Sequence, residues 1–188
     1  MPPVVPDNVN TANSCGFKIT PDCIKALYNL HNNTLAAKGN GLGIFEWQDE
    51  AYAQEDLNQF YKAYAPNIPT GTGPVLISIN HGVSPTDPAQ AGGEASIDYQ
   101  MAIPIVYPQT TINHQVNPVH KTGGLDLFES WLDAVDSAYC SADSGDSGTV
   151  ALPNVVSFPW DDSEPQWSAK YLHAYLEFDA IGASVIPS

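Results

Sequence analysis

The feature that most constrains this chain is an alternation. Short apolar runs bounded by glycine or proline are separated by stretches with helical spacing. The runs occupy 41–47, 74–80, 101–107, 153–160 and 183–186, each too short for a buried helix of ordinary length and each read as a strand. Pro104 fits a ladder poorly, since proline has no N–H to donate, yet the apolar run around it is assigned as the third strand. Between the runs lie helical patterns. One covers about 50–64, with Ala53, Leu57, Phe60, Tyr61 and Tyr64 on a face; a second holds Glu94 and Asp98; a third spans about 124–138, with Leu125, Phe128, Trp131, Leu132 and Val135. A fourth is capped by Ser163, carries Trp167, Tyr171 and Tyr175 in one row, and ends at Gly182. A shorter helix opens at Thr20-Pro21-Asp22, where proline's missing N–H does no harm. Strands joined by helical crossovers predict an α/β domain whose parallel sheet is covered by helices on both faces. Residues 1–14, rich in Pro and Asn, read as a surface arm or processing remnant, and 15–188 as the domain portion.

In such a sheet, ligands gather beyond the carboxyl ends of the strands. Glu46, Asn80-His81-Gly82 and Trp160-Asp161-Asp162 each end a run. A glutamate inside Ile44-Phe45-Glu46-Trp47 either lies at an exposed edge or, if buried, needs a partner such as Glu94. His81 reads as a loop histidine or a base. The sequence has three acidic pairs four residues apart: Glu46/Glu50, Glu94/Asp98 and Glu129/Asp133. On a helix that spacing stacks two carboxylates on one face, close enough to share or relay a proton. Glu94 and Asp98 open their helix after Gly92-Gly93, and are the candidate general-base pair. Asp126, Glu129, Asp133 and Asp136 are read instead as a solvated face.

Charge narrows the partners. Six Lys and Arg stand against 21 Asp and Glu, a formal charge of -15, which repels nucleic-acid backbones and anionic membranes. No apolar run reaches membrane-spanning length. A pI near 4.2 suits an acidic extracellular or vacuolar setting. Cys15 and Cys23, eight residues apart, are expected to close a short disulfide loop, leaving Cys140 to stay buried or to pair elsewhere. Asn32-Asn33-Thr34 is a glycosylation sequon. The histidines show no metal-ligand spacing, so no metal site and no cofactor is expected within this chain.

The residues around the acidic pair resemble a known family. Gly93-Glu94-Ala95-Ser96-Ile97-Asp98-Tyr99-Gln100 is similar to the Glu-x-x-x-Asp-x-Gln motif of the sedolisins, serine-carboxyl peptidases that include tripeptidyl-peptidases. Ile19 to Tyr28 resembles the start of the mature enzyme in fungal members, Leu42 to Glu46 the first core strand, Leu127 to Leu132 the helix after the motif, and Val155 to Trp160 the strand lining the substrate cleft.

The resemblance implies a subtilisin-like fold, with Glu94 as general base, Asp98 as the carboxylate that orients it, and Glu46 and Trp160 as members of the network behind the base. It also implies a peptide or protein substrate. A carboxylate base suits acid, where a histidine with a pKa near 6.5 is protonated. The family's Gly-Thr-Ser nucleophile motif is not present here. Ser144-Gly145-Asp146 resembles the segment of the oxyanion aspartate but falls in what reads as an inserted loop over 140–149. The chain is therefore expected to be the N-terminal portion of a secreted acid peptidase, inactive alone, completed by a C-terminal part that brings serine, aspartate and any calcium site. Two alternatives remain: a catalytically incomplete binding module of the same fold, or a retaining glycoside hydrolase using the two carboxylates.

Overall fold

The computed structural model of the chain describes residues 15–32, 35–47, 50–117, 125–136, 148–159 and 184–187. Cys15 and Cys23 are joined by a disulfide, with 5.7 Å between their Cα atoms. Cys23 lies in helix α1 (Pro21–Leu27), whose N-terminus is capped by the Thr20 hydroxyl, which accepts from the Cys23 N–H at 3.3 Å.

Five strands form one sheet: β1 (Gly41–Trp47), β2 (Val75–Ile79), β3 (Thr110–Val116), β4 (Val155–Phe158) and β5 (Ser184–Pro187). Their spatial order is β2-β3-β1-β4-β5 and every pairing is parallel. Helix α2 (Gln54–Tyr64) connects β1 to β2, α3 (Gly93–Val106) connects β2 to β3, and α4 (Leu125–Val135) lies between β3 and β4.

Side-chain alternation along β1 separates two cores. Ile44 faces a cluster with Leu57 and Tyr61 of α2 and Ala95, Tyr99 and Ile103 of α3. Phe45 faces the other, with Ile79, Val116, Val156 and Phe158 from the strands and Trp131 and Leu132 from α4. Helices therefore cover both faces, as the alternation of runs predicts. One crossover is unusual. The β1–β2 and β2–β3 connections travel in opposite directions across the sheet, yet both use the face of Ile44. The β3–β4 connection runs on the opposite face. Two crossovers thus share a hand and β2–β3 has the other, which makes it the exception to the right-handed preference.

Two expectations are corrected. Residues 101–106 are not a strand but the second half of α3, with Ile103 and Pro104 buried in it and Tyr107 as its C-cap. The helix packs against β1, β3, α1 and α2, and its second half, Met101 to Val106, is apolar at every position, so it has no helical periodicity to betray it. The third strand is instead Thr110–Val116, where Thr111, Asn113, His114 and Gln115 are all buried. Likewise Asp133, expected on a solvated face of α4, is fully buried. Residues 148–150 fold back over that end of the helix, the Gly148 N–H donating to the Asp133 carbonyl at 2.8 Å and the Val150 N–H to that of Ala134 at 2.9 Å. The expected helix from Ser163, the loop around Ser144-Gly145-Asp146, Cys140 and Trp160 lie outside the described residues.

Candidate active site

Because α3 starts after β2, its N-terminus stands at the carboxyl end of the sheet. It is fastened there by the Gly92 N–H, which donates to the Ala51 carbonyl at 2.7 Å in the segment that leaves β1. That segment is itself tied down from the neighbouring strand. The Gln115 side-chain amide donates to the carbonyls of Trp47 and Glu50, the latter at 3.1 Å, while accepting from Asn113 at 3.0 Å. The Gln115 amide is thus satisfied on both its nitrogen and its oxygen, which is how a central strand can carry it, whereas Asn113 Oδ1 stays buried without a partner. The adjacent strands β1 and β3 send their chains to opposite faces, so a crevice opens at their carboxyl ends.

Glu94 lies in the first turn of α3 and Asp98 one turn later, both half-buried. Glu46, the last residue but one of β1, lies on the same face and is only 2 % exposed. The edge-exposed reading of Glu46 is thereby excluded. Burial, reinforced by Asp98, Glu94 and Glu50, raises its pKa from 4.5 to about 9. Burial with Glu94 and Glu50 likewise raises Asp98 from 3.8 to about 7. No basic side chain contributes to either shift. Tyr99 is the one neighbour that favours ionised Glu46, and its hydroxyl approaches that carboxyl without the geometry of a good hydrogen bond. Three carboxyl oxygens in this cluster are buried without a hydrogen-bond partner: Glu46 Oε1, Glu50 Oε2 and Asp98 Oδ2.

The arrangement is therefore a nest of carboxyls of which at least two hold their protons in acid. Such a nest can pass protons among its members and give or take one at its open end. Glu94, Asp98 and Glu46 are brought together as the sequence leads one to expect. Glu50 was recognised only as Glu46's partner at helical spacing. It belongs to the same cluster by another route, from the turn after β1 rather than from a helix, its N–H donating to the Trp47 carbonyl at 2.9 Å. Tyr99 and Gln115 carried no signal separable from ordinary helix and strand positions. His81 sits with Asn80 in a tight turn, both at positive φ, and Asn32 is exposed and accepts from Lys25 at 3.0 Å.

No protein-family model matches the sequence. Curated relatives do. Tripeptidyl-peptidase sed1 of Aspergillus fumigatus is 42% identical over 177 residues, which cover 84% of this chain and 28% of the relative. Aorsin of Aspergillus oryzae is 41% identical over 133 residues, covering 68% of this chain and 20% of the relative. Tripeptidyl-peptidase SED4 of Arthroderma otae is 35% identical over 192 residues, or 92% of this chain and 30% of the relative. The chain thus spans less than a third of the length of each.

Proposed function

This chain belongs to the sedolisin family of serine-carboxyl peptidases and has the family's subtilisin-like α/β fold, and from that premise we propose that residues 15–188 are the N-terminal portion of a peptidase catalytic domain that works in acid. The observation that carries this reading is the convergence of Glu94, Asp98 and buried Glu46 at the carboxyl end of β1.

In this reading, Glu94 is the general base. A serine supplied by the part of the protein that this chain does not span attacks the scissile carbonyl. Glu94 takes its proton and returns it to the leaving amine, while an aspartate from that same part stabilises the oxyanion. Asp98, protonated through the acid range because its pKa is raised to about 7, serves as a neutral donor beside Glu94 and so helps keep Glu94 ionised without a cation. Glu46, held neutral still higher, backs the pair. Trp160 is proposed as a further member of that network, on the resemblance of Val155 to Trp160 to the family's cleft strand alone. The substrate is a peptide or protein, cleaved by tripeptidyl-peptidase or endopeptidase action.

Any calcium site is assigned, in this reading, to the C-terminal part of the protein. The disulfide, the exposed sequon asparagine Asn32 and the acidic composition support secretion, with Asn32 glycosylated. The test is Glu94→Gln in the full-length protein, assayed on a peptide substrate at about pH 4. A loss of roughly 10²–10⁴ in kcat with KM little changed is expected. Undiminished activity overturns the reading.

A further inference from the structure

Glu50 has no part in the mechanism above, yet its carboxylate occupies the tightest space in the site. A Cβ built on Gly92, the N-cap of α3, would stand 2.1 Å from Glu50 Oε2 and 2.9 Å from its carboxyl carbon. The helix N-cap is thus glycine where a serine or aspartate would ordinarily cap, and no side chain of its own closes it. The Glu50 carboxylate stands where that side chain would go, and any side chain at Gly92 would have to displace it. The backbone of Glu50 is held as well. Its N–H donates to the Trp47 carbonyl and its carbonyl accepts from buried Gln115, while the next residue's carbonyl, on Ala51, holds the Gly92 N–H. A negative group at this end of a helix is also electrostatically favoured.

We propose that Glu50 is a positioning residue of this site: lodged between the turn after β1 and the Gly92 backbone, it fixes where the N-terminus of α3, and with it Glu94 and Asp98, comes to rest beside Glu46. The inference rests on the catalytic reading of Glu94 and Asp98. It does not depend on proximity of acids alone, because Glu46, almost wholly buried, turns an unpartnered Oε1 into the same cluster. The titratable groups that feel Glu50 are Glu46 from β1 and Asp98 from α3, each of which also faces Glu94; β3 presents to it the uncharged Gln115. Since the negative charge of Glu50 helps keep protons on Asp98 and Glu46, its loss changes the pH range of the site as well as its geometry.

Four variants of the full-length enzyme test this. Glu50→Gln keeps the shape and removes the charge; Gly92→Ala keeps the charge and displaces it; Glu50→Ala removes both; and Glu94→Gln is the control on the catalytic reading. With Glu50→Gln, the alkaline limb of the kcat/KM profile is expected to move to lower pH by roughly half a unit or more, with the maximum within about threefold of the parent. Glu50→Ala and Gly92→Ala are expected to lower kcat about tenfold or more at the optimum while KM stays within about twofold. Carboxyl-carbon NMR titration of Asp98 supplies a readout besides activity: its midpoint falls in Glu50→Gln. If Gly92→Ala does not fold, Glu50→Ala decides. Parental kcat in Glu50→Ala overturns the positioning role, and a parental pH profile with an unmoved Asp98 titration in Glu50→Gln overturns its electrostatic part. Full activity of Glu94→Gln overturns the catalytic reading instead, and the titration then still decides whether Glu50 acts on Asp98.

Discussion

The indole N–H of Trp131 donates to Nδ1 of His114 across 2.8 Å, on the opposite side of the sheet from the carboxylates. The histidine is fully buried, Nδ1 is the acceptor, and its proton therefore sits on Nε2. Burial lowers its pKa from 6.5 to about 4. The folded protein thus resists the proton that the unfolded chain accepts below 6.5. The stability that neutral His114 contributes is complete above 6.5 and is lost as pH falls through about 4, amounting to about 3 kcal/mol. His114→Gln keeps an acceptor for the indole and cannot titrate. Unfolding midpoints measured from pH 7 to 3.5 should fall less steeply in this variant than in the parent.

Glu46 behaves oppositely. Its folded pKa of about 9 lies above the ordinary 4.5, so the folded state holds a proton that the unfolded chain releases. Its contribution is complete below 4.5 and is lost as pH rises through about 9. Glu46→Gln, a fixed neutral copy, is expected to change stability at pH 4 by less than about 1 kcal/mol and to remove part of the alkaline destabilisation. Glu46→Ala, which leaves a buried void beside polar neighbours, should cost about 2–4 kcal/mol at any pH. Denaturant titrations at pH 4 and pH 8 separate the two.

For Asp98, the donor role assigned above predicts an order among substitutions. Asp98→Asn retains a neutral hydrogen-bond donor and is expected to keep more kcat at about pH 4 than Asp98→Ala, by roughly tenfold. Because Asn does not titrate, the part of the alkaline limb that reflects the Asp98 pKa of about 7 should disappear. Steady-state kinetics from pH 3 to pH 7 measure both effects.

Gly82 tests the turn after β2. A Cβ there would meet the Gln115 carbonyl oxygen at 2.1 Å and its carbon at 2.7 Å. These are backbone atoms of a central strand and cannot step aside as a flexible side chain does. Gly82→Ala is expected to destabilise by about 2–4 kcal/mol, visible as a drop of several degrees in Tm.

Much of this architecture was legible because local chemistry and tertiary fate agreed. The glycine-bounded run around Ile44 and Phe45, the Pro21 helix start and the spacing of Leu57 and Tyr61 each folded as their patterns indicate. The failures share one cause, burial. Residues 101–107 resemble a strand because the second half of α3 is apolar at every position. The true third strand is hidden because Asn113 and Gln115 are polar yet enclosed, Gln115 donating to the turn after β1 and accepting from Asn113, which no local rule foresees. Asp133 was assigned to solvent for the same reason. In the site, Glu94 and Asp98 were readable from helical spacing, whereas Glu50 enters from a turn whose path depends on Gln115, sixty-five residues further along.

The reversed hand of the β2–β3 crossover has a consequence for how this chemistry can be engineered or lost. Had the chain taken the common path, α3 would lie beside α4 beneath Phe45, and Glu94 and Asp98 would be separated from Glu46 by the whole thickness of the sheet. Every residue of the nest would be unchanged, and no nest would exist. Rewiring that connection is therefore expected to abolish the proton relay even if each strand still pairs in its present order, so the chain's route, as much as its side chains, is what selection must preserve.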